Sequence, residues 1–155
     1  MDTVPDIADV IASLKDNGFA RLRLTIDKAS AADRTALLLR TAALQDRFDC
    51  IQAINPLPTI LQTFRPTTGY DDVKAVAVAR LAAPNISCIQ VDWMRYGPKL
   101  AQVALTFGAD DVDNVTASDD APDGRRRAPL EDVRRNIEAA GFSPAERDGH
   151  FSVIS

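Results

Sequence analysis

The sequence predicts an α/β fold, an open half of a TIM-like (β/α) barrel with about four to five βα units. Segments with the period-two pattern of strands alternate with segments that carry apolar residues at helical spacing. Because each parallel crossover needs a helix-length connection, this alternation favours a parallel sheet. A complete (β/α)8 barrel needs about 200 residues or more, whereas this chain has 155 residues. We therefore expect one truncated half-barrel domain over residues 1–155.

The first half of the chain is expected to alternate helix and strand. Apolar residues at helical spacing stop at Asn17-Gly18, a helix C-cap signal. Ser30 supplies an N-cap for the next helix, and Asn55-Pro56 ends a strand because proline cannot donate to a central ladder. The expected elements are a first helix before residue 17, a strand at 22–26, a helix from about 31 to 46, and a strand at 50–54.

The second half continues the alternation and adds a charged loop. We expect a helix from Asp71-Asp72 to Leu81, a strand at 86–91, a helix from Pro98 to Gly108, a helix from Pro129 to Gly141, and a closing strand at 151–154. Residues 114–128 are rich in Asp and Arg and are expected to form a mobile loop within the domain. The run Arg125-Arg126-Arg127 is interpreted as a solvated face rather than a phosphate clamp.

Charge and hydropathy exclude several classes of function. Lys plus Arg is 18 and Asp plus Glu is 22, which gives a formal charge of −4 and disfavours a general nucleic-acid binder. No stretch approaches the ~18 consecutive apolar residues of a transmembrane helix. No apolar run follows the first residues, so we expect no signal peptide and a cytoplasmic protein.

The small number of cysteines and histidines excludes several kinds of site. Cys50 and Cys88 are the only cysteines, which rules out a disulfide scaffold and a thiolate-rich metal cage, and both are expected to be buried and reduced. A single histidine, His150, cannot build a two-histidine zinc site. We assign no metal ligand and no catalytic residue from the sequence.

Polar side chains cluster where the expected strands end, which is the end at which barrels place their active sites. The candidates for binding a polar ligand are Gln90, Trp93, Asp110, Asp111, Asp113, Thr67 and Thr68. The aspartates can bind Mg²⁺ or Ca²⁺, hydrogen-bond ligand hydroxyls, or simply be solvated. The threonines can cap a helix or bind a ligand, and the indole can line a pocket or pack in the core.

Several stretches carry a family resemblance. In order, they are Arg65-Pro-Thr-Thr-Gly-Tyr-Asp-Asp-Val-Lys, Ala77-Val-Ala-Arg-Leu, Leu100-Ala-Gln-Val-Ala-Leu, Phe107-Gly-Ala-Asp-Asp-Val-Asp and Ile137-Glu-Ala-Ala-Gly-Phe-Ser-Pro-Ala-Glu-Arg-Asp. They resemble the C-terminal half of the futalosine-pathway radical SAM enzymes. This family includes aminofutalosine synthase and dehypoxanthine futalosine cyclase of menaquinone biosynthesis, and the related FO synthase subunit of deazaflavin biosynthesis.

The resemblance implies a barrel whose N-terminal half holds a [4Fe–4S] cluster on a closely spaced set of cysteines and cleaves S-adenosylmethionine. Cys50 and Cys88 provide no such set, so we expect this chain alone to bind neither cofactor. The chain also departs from the family at strand ends, with Asp27-Lys28 in place of Gly-His and Asn114-Val115-Thr116 in place of Gly-Thr-Val. Between 54 and 67 it has a shorter loop than the family.

Two functions follow from the resemblance. The first is a cluster-free accessory or structural subunit, which the altered strand ends favour. It would need a protein partner, or would self-associate, across the open edge of the barrel. The alternative is the substrate-side subunit of a split radical SAM enzyme of menaquinone biosynthesis, with a separate chain supplying the cluster.

Overall fold

The expected α/β architecture is confirmed in a computed structural model that describes residues 6–26, 31–59, 67–116 and 129–154. Within these ranges it contains a four-stranded parallel sheet of order β1-β2-β3-β4 and five helices. The elements are α1 (Ile7–Asp16), β1 (Leu22–Thr25), α2 (Ala31–Phe48), β2 (Ile51–Asn55), α3 (Gly69–Ala82), β3 (Cys88–Asp92), α4 (Trp93–Thr106), β4 (Asp111–Asp113) and α5 (Pro129–Ala139).

The strand order identifies the sheet as part of a barrel. Strands that follow one another in sequence are also neighbours in space, whereas a doubly wound sheet reverses its strand order at a switch point. Ile54, Ile89 and Val91 belong to the same buried core cluster as residues of the helices. The sheet is not closed, because β1 and β4 each have one edge without a strand partner in the described part of the chain.

Two helices begin where local chemistry favours them. Thr68 is the N-cap of α3, and a capping box joins its side chain to that of Asp71. The helix predicted to start at Pro98 has an additional segment before it, because Asp92 caps a turn that starts at Trp93. A kink at Gly97, with φ 77° and ψ 167°, separates this turn from the helix after Pro98.

The strands differ from those expected at two places, because one strand was not predicted and one predicted strand does not form. Residues Asp111–Asp113 form β4 in parallel pairing with β3, although aspartate is depleted in strands. Residues 151–154 do not form a closing strand. Instead, Ile154 donates to the backbone oxygen of Glu146 and a single antiparallel bridge joins Arg147 to Val153, so this end of the chain pairs with itself.

The remaining expectations about the chain concern loops and membranes. Of the loop predicted to be mobile at 114–128, only 114–116 lie among the described residues, and the triple arginine lies outside them. Among the described helices, none has the length and apolar character needed to cross a bilayer.

Candidate functional site

The two faces of the sheet differ in chemistry. Alternate side chains of a strand point to opposite faces, and Ile89 and Val91 pack with the helices. Gln90 therefore faces the other way, onto what we call the open face, the side of the sheet opposite the helices. Gln90 is paired in register with Asp111, and the two side chains are joined by a hydrogen bond. The candidate site lies on this face.

Asp111 is the centre of the open face. Its carboxylate accepts hydrogen bonds from Arg147 Nε at 3.0 and 3.1 Å and from Arg147 Nη2 at 2.5 Å. Gln90 Nε2 donates to the same carboxylate at 2.6 Å, and the Cys88 thiol donates at 3.6 Å. The Asp111 carboxylate is thus held by charge-assisted hydrogen bonds from the Arg147 guanidinium and by hydrogen bonds from Cys88 and Gln90 of the neighbouring strand β3.

Arg147 reaches this face from the C-terminal segment, which we define as residues 143–154. Its hydrogen bonds to Asp111 raise the pKa of the Arg147 guanidinium, which also lies over the Phe151 ring at 4.2 Å from the centroid. Arg21, directly before β1, donates to the backbone oxygen of His150. The C-terminal segment therefore joins the β1 side of the sheet to the β4 side.

A second ion pair crosses the open face nearer the C-terminal ends of the strands. Arg23 of β1 donates to the carboxylate of Asp113 of β4. Because β2 and β3 lie between these strands, the contact passes over both central strands. Beside it, Asn114 Nδ2 lies 3.2 and 3.3 Å from the two carboxylate oxygens of Asp92. Asn114 has a φ of 59°, a left-handed conformation that asparagine tolerates better than most residues.

The cysteines occupy separate environments. Cys50 belongs to the apolar core cluster, whereas Cys88 faces Asp111 on the open face, and both are buried and unpaired as expected. Burial raises the pKa of each thiol, and the negative charge of Asp111 raises that of Cys88 further. Neither thiol is a ready thiolate nucleophile or metal ligand.

Three of the residues predicted to bind a ligand, Gln90, Asp111 and Asp113, come together on the open face. Asp110 does not join them. Its carboxylate pairs with Arg80 Nη2 at 2.6 Å and accepts from the Ile89 backbone N–H at 2.7 Å. The three aspartates of this stretch therefore do not converge on one metal-binding position.

The other three predicted residues have local partners. Trp93 is half-buried and packs against the core cluster. Thr68 caps α3, and Thr67 hydrogen-bonds to Asp72. These contacts agree with the structural roles considered from the sequence, and a ligand-binding role for these residues stays a prediction.

Sequence reasoning missed both arginines of the open face. The signal for Arg23 was present, because polar Arg21, Arg23 and Thr25 alternate with apolar residues along β1. Arg147 had no such signal, since it follows the last helix in an irregular segment and approaches Asp111 from 36 positions away in sequence.

A buried polar cluster lies at the helix N-termini on the same end of the sheet as Asp92 and Asp113. Burial raises the pKa of Asp72, while the Thr67 hydrogen bond and Arg34 act in the opposite direction. Burial raises the pKa of Tyr96 to about 12, and its hydroxyl donates to the Pro58 carbonyl at 2.7 Å. These groups fix the loops that follow the strands.

A groove of about 1060 Å³ runs along the free edge of β4. Its apolar wall includes Val112, Val133, Ile137 and Phe142, and its polar wall includes Arg147. Phe142 is 49% exposed there. The groove thus combines an unpaired strand edge with uncovered apolar surface.

Comparisons with known proteins identify similar sequences over most of this fold. A profile of the family described as CofH/MqnC C-terminal region matches residues 52–154. A 5-amino-6-(D-ribitylamino)uracil–L-tyrosine 4-hydroxyphenyl transferase from Archaeoglobus fulgidus is 32% identical over 130 residues, which cover 76% of this chain and 38% of the relative.

Two further relatives carry another name. The aminodeoxyfutalosine synthase of Streptomyces coelicolor is 33% identical over 93 residues, covering 56% of this chain and 24% of the relative. That of Thermus thermophilus is 38% identical over 95 residues, covering 57% and 25%. In these alignments the chain spans from about a quarter to two fifths of the length of its curated relatives.

Proposed function

Because this chain belongs to the CofH/MqnC C-terminal region family, we propose that it is the substrate-side half of a split (β/α) barrel. In this proposal a second, cluster-bearing half completes the barrel. The single observation that carries the proposal is the open face, on which Arg23 pairs with Asp113 and Gln90 hydrogen-bonds to Asp111. In a closed barrel this face becomes the interior.

The need for a second half is supported by the sheet edges. Within the described ranges β1 and β4 each leave one edge of the ladder unpaired, and unpaired edges favour pairing with another chain. The groove beside β4 adds apolar surface that a neighbouring strand would cover, including Phe142. A parallel sheet of four strands, closed by four more, has the strand number of a (β/α)8 barrel.

The [4Fe–4S] cluster that the resemblance implies does not fit the thiols of this chain. Cys50 lies in the apolar core and Cys88 lies against Asp111, and burial raises the pKa of both. Iron–sulfur clusters need thiolates grouped at one site. We therefore assign the cluster and S-adenosylmethionine to the other half and the recognition of a polar substrate to this one.

The relatives suggest two candidate reactions. The aminodeoxyfutalosine synthases favour a role in menaquinone biosynthesis, and this is the role that we propose for the chain. The Archaeoglobus fulgidus relative is named as a 4-hydroxyphenyl transferase acting on 5-amino-6-(D-ribitylamino)uracil and L-tyrosine. The first name describes a polar product and the second describes polar substrates, for which a polar barrel interior is suited.

Co-expression tests the need for a second half. The partner is the part of the Streptomyces coelicolor aminodeoxyfutalosine synthase that precedes its matched region, carrying an affinity tag. We expect the untagged chain to co-purify with it. Phe142→Asp should weaken co-purification because it charges the β4 groove, whereas Leu81→Asp, on the exposed surface of α3, should not. Equal effects of the two variants would contradict docking at the β4 edge.

Turnover by the reconstituted pair separates the two functions. If this chain binds substrate, Asp113→Asn should keep the complex and lower product formation at least about tenfold, a loss of about 1.4 kcal/mol. Unchanged turnover would favour an accessory role instead. One observation favours that second candidate: Asp111 and Asp113 already pair with arginines of the same chain.

A further inference from the structure

Among the described residues of the open face, Gln90 is the one buried side chain with an unpaired hydrogen-bonding atom. Its side chain is fully buried, with 0% exposure. Nε2 donates to Asp111 at 2.6 Å, but none of the described residues donates to Oε1. A buried amide oxygen without a donor costs about 1–3 kcal/mol, so such atoms receive their hydrogen bond from ordered water, a ligand or a partner in most proteins.

The orientation of the amide is fixed by charge. A carboxylate accepts hydrogen bonds and cannot donate them, so the NH₂ group of Gln90 must face Asp111 and Oε1 must face away from it. Asp111 is itself held in place, because the guanidinium of Arg147 donates to both of its oxygens. Gln90 Oε1 is therefore held in one position, because Arg147 fixes Asp111 and Asp111 fixes the Gln90 amide.

The Arg23–Asp113 ion pair lies on the same face of the sheet as this acceptor. It joins the two outer strands across β2 and β3, and Gln90 is the central residue of β3 on that face. The Arg23 side chain is 42% exposed and that of Asp113 is 21% exposed. An ion pair this accessible contributes little stability, whereas the contact between Arg147 and Asp111 is more enclosed.

We propose that Gln90 Oε1 is a ligand-binding acceptor for a neutral N–H or O–H donor, and that the Arg23–Asp113 pair is a cover that opens to admit this ligand. The assignment rests on the proposed substrate-side function and deepens it by naming the ligand chemistry. A neutral donor fits best because an anionic group would lie near the Asp111 carboxylate and a cationic group would lie near the Arg147 guanidinium bound to it, and like charges repel. Ring imides, amides and hydroxyls satisfy the requirement.

Uracil and 1,3-dimethyluracil form a matched pair of probes, since the rings have the same shape but only uracil has N–H donors. The measurement is the ¹H–¹⁵N signal of the Gln90 side-chain amide in the full chain during titration with each compound. We expect uracil to shift this signal and 1,3-dimethyluracil to leave it unchanged. Equal shifts by both compounds, or none by either, would overturn the assignment.

Two variants test the cover and the acceptor separately. Arg23→Gln removes the cover and should tighten uracil binding at least about threefold. Gln90→Met keeps the length of the side chain and removes the acceptor, so it should weaken binding by roughly three- to tenfold, the range for one neutral hydrogen bond. Retained affinity in Gln90→Met would refute the role of Oε1, and unchanged affinity in Arg23→Gln would refute the cover.

The outcome is independent of the test for the second half. If uracil does not bind but the chain still docks with the cluster-bearing half and supports turnover, the ligand assignment fails and the half-barrel function stands. If uracil binds but the chain does not dock with the cluster-bearing half, the half-barrel function fails and the ligand assignment stands. The dispersion of the backbone signals in each variant reports whether it has folded.

Discussion

Removal of the Arg147 side chain should destabilise the chain more than removal of any exposed arginine. Arg147 makes three nitrogen-to-oxygen contacts of 2.5–3.1 Å with Asp111, and the two side chains are only 26% and 14% exposed. Hydrogen bonds to charged groups contribute about 1.5–3 kcal/mol net, and the contact with the Phe151 ring adds roughly 0.5–1 kcal/mol. We expect Arg147→Ala to lower the free energy of unfolding by about 3 kcal/mol.

The matched control is Arg135→Ala on α5. Arg135 pairs with Glu131 at 3.1 Å, but the two side chains are 57% and 48% exposed, and such i, i+4 pairs contribute about 0.3–0.5 kcal/mol. Urea denaturation followed by circular dichroism measures both losses. Thermal midpoints should fall by about 6–12 °C for Arg147→Ala, taking about 2–4 °C per kcal/mol for a domain of this size.

Salt and charge-conserving substitution sharpen this test. The enclosed contact should weaken little between about 0.15 and 1 M salt, because screening acts mainly on exposed charges. Arg147→Lys keeps the positive charge but loses the planar guanidinium, so its free energy of unfolding should lie between that of the wild type and that of Arg147→Ala. If Arg147→Ala and Arg135→Ala differ by less than about 0.5 kcal/mol, the C-terminal segment is not anchored by this contact and the reasoning is refuted.

Three further changes have expected outcomes that urea denaturation can measure. Gly108→Ala should lower the free energy of unfolding more than Gly18→Ala does. Both glycines have positive φ, but only at Gly108 would a new Cβ lie 2.9 Å from the Arg80 side chain. Equal decreases for the two variants would refute the predicted clash. Thr68→Ala should cost about 1 kcal/mol through loss of the α3 cap, and no loss would mean that the cap is dispensable. Asp72→Asn should gain stability relative to wild type as pH rises above the carboxyl's ordinary range, because burial raises its pKa and makes ionisation in the folded state unfavourable. A gain that is largest in acid would contradict this sign.

The scaffold followed from the sequence because its signals are local. Helix caps and breakers such as Gly97-Pro98 and Gly141 act within a few residues, and each coincides with a boundary or kink. β4 was missed because its three residues contain two aspartates, and only the parallel pairing with β3 makes them a strand. Tertiary pairing here outweighs the low strand propensity of aspartate.

The site was less accessible to prediction because its contacts are distant in sequence. The ion pair of Arg23 with Asp113 joins positions 90 residues apart, and that of Arg147 with Asp111 comes from a segment without regular structure. No periodicity reports such contacts. The position of Gln90 near the end of a predicted strand made it a candidate, but this position could not show which neighbouring aspartates share its face.

The strand sequences nevertheless carry a signal that distinguishes a half-barrel from a doubly wound sheet. Arg23-Leu24-Thr25, Gln90-Val91-Asp92 and Asp111-Val112-Asp113 each have an apolar residue between two polar ones. A parallel sheet covered by helices on both faces has nearly continuous apolar strands instead. In these three strands the polar positions share one face and the apolar positions share the other, whereas β2 is buried at four of its five positions. The polar face must then be covered by the chain's own C-terminal segment, a ligand or another half-barrel, and the first of these already covers its β4 side through Arg147.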